Sequence, residues 1–281
     1  MRRKSFAREL RSGRKLAGSW CTFASFASSE MMTRLGFDFL VFDMQHGEVA
    51  QSHFPALFGA FPADGPACLV RAPSNDYHII NWLFDQGAEG VMVPMVNSPE
   101  EARRAVEAAK FPPLGKRSFG PYRAAAYSFD VPEYMAEADS LATLIIQIED
   151  EAATREIDAI LAVPGIDAVF MGPNDLAYSM LKPGQSFFSR RESTSDSDPA
   201  KQWTAFARTP EVLELCRHAR ERCKAAGIPF GMTAGTQDEA LKILADGADF
   251  VTLGSDFLFL RAGAGQLAGQ LKERRSGSAH A

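Results

Sequence analysis

Short apolar runs alternate with longer segments of helical period along most of the 281 residues. The runs fall at 19–23, 37–42, 67–70, 90–95, 143–148, 168–171, 228–231 and 250–253. They are continuous, not alternating, which is the pattern of strands buried on both faces. Helix-like segments lie between most of them. Ser98-Pro99-Glu100-Glu101 opens one, with proline at the first helical position and acids in the first turn. Others span 150–161, 209–226, 237–248 and 256–273. Strands alternating with helices predict parallel βαβ units, and eight units predict a closed barrel. The expected fold is therefore α/β, a (β/α)₈ TIM barrel, as one domain over 1–281. A doubly wound open sheet is the competing solution, but no GxGxxG follows the first run.

Two segments break the rhythm. Residues 111–133, rich in Gly, Pro, Arg and Tyr, follow the fourth unit and are expected over the C-terminal end of the barrel. Residues 184–207 contain the polar run Ser-Arg-Arg-Glu-Ser-Thr-Ser-Asp-Ser-Asp-Pro and are expected to form a flexible insertion. The tail, 274–281, is expected to be loose as well.

The formal net charge of −5 argues against a nucleic-acid backbone as partner, which would require a basic face. No run reaches the 18 or so apolar residues of a membrane span. Basic Arg2, Arg3 and Lys4 are not followed by the apolar core of a secretory signal, so a cytoplasmic location is expected. Cys21, Cys68, Cys216 and Cys223 form no CxxC pair and read as small buried hydrophobes.

In such barrels the reactive side chains sit where strands end. The second run ends at Asp43, with His46 three residues on; the third at Arg71; the fifth at Glu149. The sixth enters Gly172-Pro173-Asn174-Asp175. Taken singly, Glu149 and Asp175 could each cap a helix. Taken together at successive strand ends, two converging carboxylates call for a cation, and the pattern suits Mg²⁺ or Mn²⁺, with Co²⁺ or Zn²⁺ as alternatives. Asp43 beside His46 reads either as an acid that raises the basicity of an imidazole or as a turn acid near a surface histidine. Arg71 is placed to donate to an oxyanion, or to pair with a structural acid. Trp20 lines the pocket or belongs to the core. No strand ends in lysine, the usual Schiff-base position, with Lys116 in the long loop as the one exception to test.

These positions, with Gly18-Ser19-Trp20, the stretch 36–47, Val70-Arg71, the stretches 90–96 and 111–117, Gln147-Ile148-Glu149, the stretch 169–176 and Gly254-Ser255-Asp256, resemble the HpcH/HpaI aldolase/citrate lyase family. Within it they are most similar to the metal-dependent class II pyruvate aldolases. The resemblance runs from about Ser5 to Arg261. It implies a metal on Glu149 and Asp175, His46 paired with Asp43 as the acid/base element, and Arg71 at the enolate. It also implies substrate contacts from Trp20, Gln147, Gly172, Pro173 and Asn174, with Arg123 at the aldehyde and Asp85 reaching a neighbouring subunit's site. A homohexamer, a trimer of dimers that exchange C-terminal helices, is implied too. Gln45 departs from the pattern, since many relatives carry Glu before the histidine.

The expected activity is reversible cleavage of a 4-hydroxy-2-oxo acid to pyruvate and an aldehyde, with those small molecules as partners. The alternatives are a citrate-lyase-like acyl-CoA lyase, for which Arg190 and Arg191 are the basic candidates, and a phosphate-binding isomerase using the glycines at 231–235 and 254. A barrel without catalysis is the third.

Overall fold

The computed structural model describes residues 5–62, 64–185 and 207–277. Eight parallel strands close in chain order: β1 (Leu16–Cys21), β2 (Phe39–Asp43), β3 (Ala67–Arg71), β4 (Gly90–Val93), β5 (Thr143–Ile148), β6 (Ala168–Met171), β7 (Phe230–Ala234) and β8 (Phe250–Ser255). β8 pairs back onto β1, so the TIM barrel expected from the alternation is the one formed. Two strand bounds differ from the apolar runs. β1 begins at Leu16, because Ala17 and Gly18 belong to the strand although they carry little hydrophobic signal. β7 lies later than 228–231 because Pro229 only leads into it, its carbonyl accepting from the Val169 N–H.

Alternate residues point to opposite sides of each strand. Leu16, Phe39, Val41, Leu69, Met92, Ile145, Ala168, Phe170 and Phe250 pack together inside the barrel. Their neighbours Leu40, Phe42, Val70, Val91, Leu144 and Ile146 pack outward with the helices. The same alternation, carried to the strands' C-terminal ends, turns Trp20, Asp43, Arg71, Gln147 and Glu149 inward at one rim.

The glycines of β1 and β7 make room for this interior. A Cβ on Gly18 would stand 2.3 Å from the Phe39 ring, and one on Gly231 2.4 Å from the Phe250 ring. All four cysteines are free and buried.

The 111–133 connection does not cover the C-terminal rim. The helix Pro99–Ala109 first carries the chain back to the pole where strands begin, and the connection starts there. Ala124 N–H donates to the Asp85 carbonyl, and Arg123 Nη1 to the Gln86 carbonyl, both just ahead of β4. Of the expected insertion at 184–207, residues 186–206 lie outside the described residues. The tail departs from expectation at 274–277, which continue the helix Asp256–Gly277; 278–281 lie outside the described residues. Among the described residues no helix is long and apolar enough to cross a membrane.

Replacing Gly18 by Ala should lower stability by about 1–3 kcal/mol, the usual penalty for overpacking a filled core. A reduced urea midpoint with an unchanged m-value checks this; an unchanged midpoint would mean that the Phe39 ring moves aside freely.

Candidate active site

One side of the rim is built on β1, β2 and β3. Asp43 ends β2 in register with Arg71, which ends β3. The guanidinium donates from Nε to Asp43 Oδ1 at 2.9 Å and from Nη2 to Oδ2 at 2.6 Å, a two-point fork with both groups buried. Trp20, near the end of β1, lies 4.5 Å from the guanidinium carbon across its ring face, and its Nε1 donates to Thr252 Oγ1 at 3.0 Å. Burial alone would push the Asp43 carboxyl up. Hydrogen bonds and charge from Arg71, with N–H groups of His46 and Gln45, outweigh it and hold the carboxyl below its ordinary value.

This corrects the expected pairing of Asp43 with the His46 ring. Asp43 Oδ1 takes the backbone N–H groups of Gln45 at 3.0 Å and His46 at 3.2 Å, and Arg71 takes both oxygens. A guanidinium fork satisfies both carboxylate oxygens at once, which a single imidazole N–H cannot. His46 itself is exposed on the turn after β2.

Glu149 follows β5 and is only 2% exposed. It is not a helix cap: Asp150 beside it takes that role, accepting from Ala152 and Ala153 N–H at 2.9 and 3.1 Å. Glu149 Oε1 accepts from the Met95 N–H at 2.9 Å, and Oε2 from Gln147 Nε2. Burial and then the charge of Asp175 push its carboxyl up to about 7, against the opposing influence of Met95, Arg71 and Gln147. Asp175 is exposed in the first turn of the helix Pro173–Ser179. Gly172 precedes that helix so closely that a Cβ there would stand 2.4 Å from Glu149 Oε2. Pro173 is buried and Asn174 half-buried behind it.

The rim therefore gathers Trp20, Asp43, Arg71, Gln147, Glu149, Gly172 and the turn carrying Asp175. Asp85 and Arg123 do not join it. Asp85 ends the helix Tyr77–Asp85 at the opposite pole, where it accepts from Arg117 Nη2 at 2.6 Å and Asn81 Nδ2 at 3.0 Å. Lys116 is at that pole too, exposed and paired with Glu107 at 2.7 Å. Met95 is the residue that the sequence left unmarked. Pro94 before it shows where the strand stops, but nothing in a methionine announces the left-handed backbone (φ 54°) found there.

Among the described residues no group of three or more His, Cys, Asp or Glu side chains gathers as a metal site. What the rim offers is a pair of carboxylates, one buried and charged against the other. A divalent cation held by Glu149 and Asp175 would relieve that repulsion.

Charged groups converging where the strands of a closed eight-stranded barrel end define an enzyme of the TIM-barrel class. The HpcH/HpaI aldolase/citrate lyase family model matches residues 17–262, and the chain belongs to that family. The chain is 33% identical over 256 residues to a 5-keto-4-deoxy-D-glucarate aldolase of Salmonella arizonae, covering 91% of this chain and 92% of the relative. The same identity holds for the aldolase of that name in Citrobacter koseri, over 91% of each chain. A solved HpcH/HpaI aldolase/citrate lyase family protein from Burkholderia cenocepacia superposes with a TM-score of 0.80 at 25% identity, covering 95% of this chain and 98% of that one. An HpcH/HpaI aldolase from Desulfitobacterium hafniense gives 0.81 at 25%, over 96% and 97%. The chain is a carbon–carbon lyase of the aldolase kind.

In EDTA-treated protein the folded state binds the Glu149 proton more tightly than the unfolded chain, whose glutamate titrates near 4.5 against about 7 here. That stabilisation is complete below pH 4.5 and is lost as the pH rises through 7. Glu149→Gln should remove the dependence, leaving the variant ahead at pH 8 by up to about 3 kcal/mol. Urea melts at pH 5 and pH 8 check it; equal pH dependence in both proteins would contradict a buried carboxylate strained by its neighbour.

Proposed function

We propose that the chain catalyses divalent-metal-dependent, reversible cleavage of a 4-hydroxy-2-oxo acid to pyruvate and an aldehyde, with Glu149 and Asp175 holding the metal. The observation that carries this reading is Glu149: a carboxylate buried to 2% exposure, close to a second acid, with no cation of the chain paired to it in a salt bridge among the described residues. The similarity to 5-keto-4-deoxy-D-glucarate aldolases supports a sugar-acid substrate of that kind. When bound, the metal supplies Lewis acidity that draws electron density from the substrate's 2-oxo group.

The remaining roles belong to side chains of the rim. Arg71, locked by Asp43 and laid on Trp20, keeps Nη1 for the oxygen that becomes the enolate. His46, its ring not tied to Asp43, takes the 4-hydroxyl proton through water as the C3–C4 bond breaks. The Gly172-Pro173-Asn174 turn offers the oxo-acid carboxylate an Asn174 N–H that the helix itself does not use. Trp20 walls the pocket beneath Arg71. Gln147 serves Glu149 directly, through its Nε2, and the substrate only through it.

The phosphate reading loses its main support. Gly231 is occupied by the Phe250 ring, and a Cβ on Gly254 would meet the Phe259 ring at 2.5 Å, so both glycines are used for packing. Arg190 and Arg191, on which a CoA site would rest, lie outside the described residues.

The proposed assembly is a homohexamer. The helix Asp256–Gly277 leaves Leu260, Leu267 and Leu271 more than 60% exposed, an apolar face suited to a second copy of the barrel. Asp85 and Arg123, at the pole opposite their own rim, reach substrate only across such a boundary.

Pyruvate release from 4-hydroxy-2-oxo acids should vanish in EDTA and return with Mg²⁺, Mn²⁺ or Co²⁺; equal release in EDTA would remove the metal from the mechanism. Arg71→Ala should lower kcat by roughly 10²–10³-fold, about 3–4 kcal/mol, as for loss of one oxyanion donor. A loss under about fivefold in folded variant would exclude Arg71 from the reaction.

A further inference from the structure

Among the described residues, four other than glycine have positive φ: Met95, Ala126, Tyr127 and Ser128. The last three sit in the connection at the pole where strands begin. Met95 alone stands at a strand's C-terminal end, two residues beyond β4, with φ 54°. Glycine or asparagine takes this conformation readily; methionine does so only when its surroundings impose it. The residue is 50% exposed, so packing of its side chain is a weak reason for the strain.

The backbone supplies a better one. Through β4 the chain pairs in register with β5, Val93 opposite Ile146. One residue past Met95 the pairing resumes, with Val96 N–H donating to the Gln147 carbonyl at 3.0 Å. Between these points the left-handed turn takes the Met95 N–H out of the ladder and directs it to Glu149 Oε1 at 2.9 Å. The other oxygen is held by Gln147 Nε2. Each carboxylate oxygen thus has one fixed donor, and the carboxylate cannot turn about its last bond without losing both.

We infer that Met95 is a positioning residue whose left-handed backbone, not its side chain, fixes the orientation in which Glu149 receives the metal. The inference rests on the metal role proposed for Glu149. Its test separates conformation from side chain. Met95→Gly deletes the side chain but adopts positive φ without strain. Met95→Val keeps an apolar side chain of moderate size, yet a β-branched residue resists positive φ and draws the turn toward extended backbone.

Mn²⁺ binding to EDTA-treated, dialysed protein would be titrated by the loss of the free-ion paramagnetic resonance signal, alongside urea melts. The glycine variant should bind Mn²⁺ within about twofold of wild type. The valine variant, folded by its melt, should bind about tenfold more weakly, the effect of one hydrogen bond to a charged group. Equal affinity in the valine variant, whatever its stability, would overturn the inference, as would a glycine variant as weak as the valine one. Wild-type protein that binds no Mn²⁺ would defeat the metal reading itself, and this inference with it.

Discussion

Two hydrogen bonds from Arg71 to Asp43 hold the rim in its working shape. They join the ends of β2 and β3, and the guanidinium they immobilise lies over the Trp20 ring from β1. A buried carboxylate without such a partner would be neutral or costly; here the guanidinium keeps it charged. The same carboxylate gathers the N–H groups of Gln45 and His46 and so shapes the turn that presents the histidine. One acid therefore sets the position of a cation on one side and an imidazole on the other, while touching the ring of neither Trp20 nor His46 by hydrogen bond.

The opposite pole uses charge differently. Lys110 is buried there with Nζ donating to the carbonyls of Asp139 and Ala142 and to Asp167 at 2.6 Å, which uses all three of its protons. Arg117 is enclosed by Phe84, Phe111 and Tyr134 and paired to Asp85. Arg117 ties the 111–133 connection to Asp85, while Lys110 ties the end of the helix before it to Asp139, Ala142 and Asp167. Neither Lys110 nor Lys116 stands at the rim, each being paired with an acid elsewhere.

The barrel was legible in the sequence because strands buried on both faces must be apolar throughout, and eight such runs leave few other folds. Asp43, Arg71 and Glu149 were legible because a charged residue ending an apolar run has nowhere to go but the rim; Asp175 was legible only through the turn that the sixth run enters. Partners were harder to read. Asp43 stands three residues from His46 and 28 from Arg71, yet strand register, invisible in local spacing, brings the distant residue alongside. The 111–133 loop was placed at the wrong pole because the helix before it, 99–109, reverses the chain and so decides which end the loop occupies. Met95 stayed hidden because a left-handed methionine is a product of its surroundings and leaves no mark in composition.

The helix Asp256–Gly277 has a further consequence. At 22 residues it extends about 33 Å, and its first residue is fixed to the barrel where the Asp256 carboxylate accepts from Thr22 and Phe23 N–H groups at 2.9 and 3.1 Å. Its distal leucines have no such cover on their own barrel. A helix built in this way links folding to mass action: covering its apolar face by another copy adds a term that grows with the logarithm of protein concentration. In the proposed assembly, dilution would therefore act on this chain as a mild denaturant.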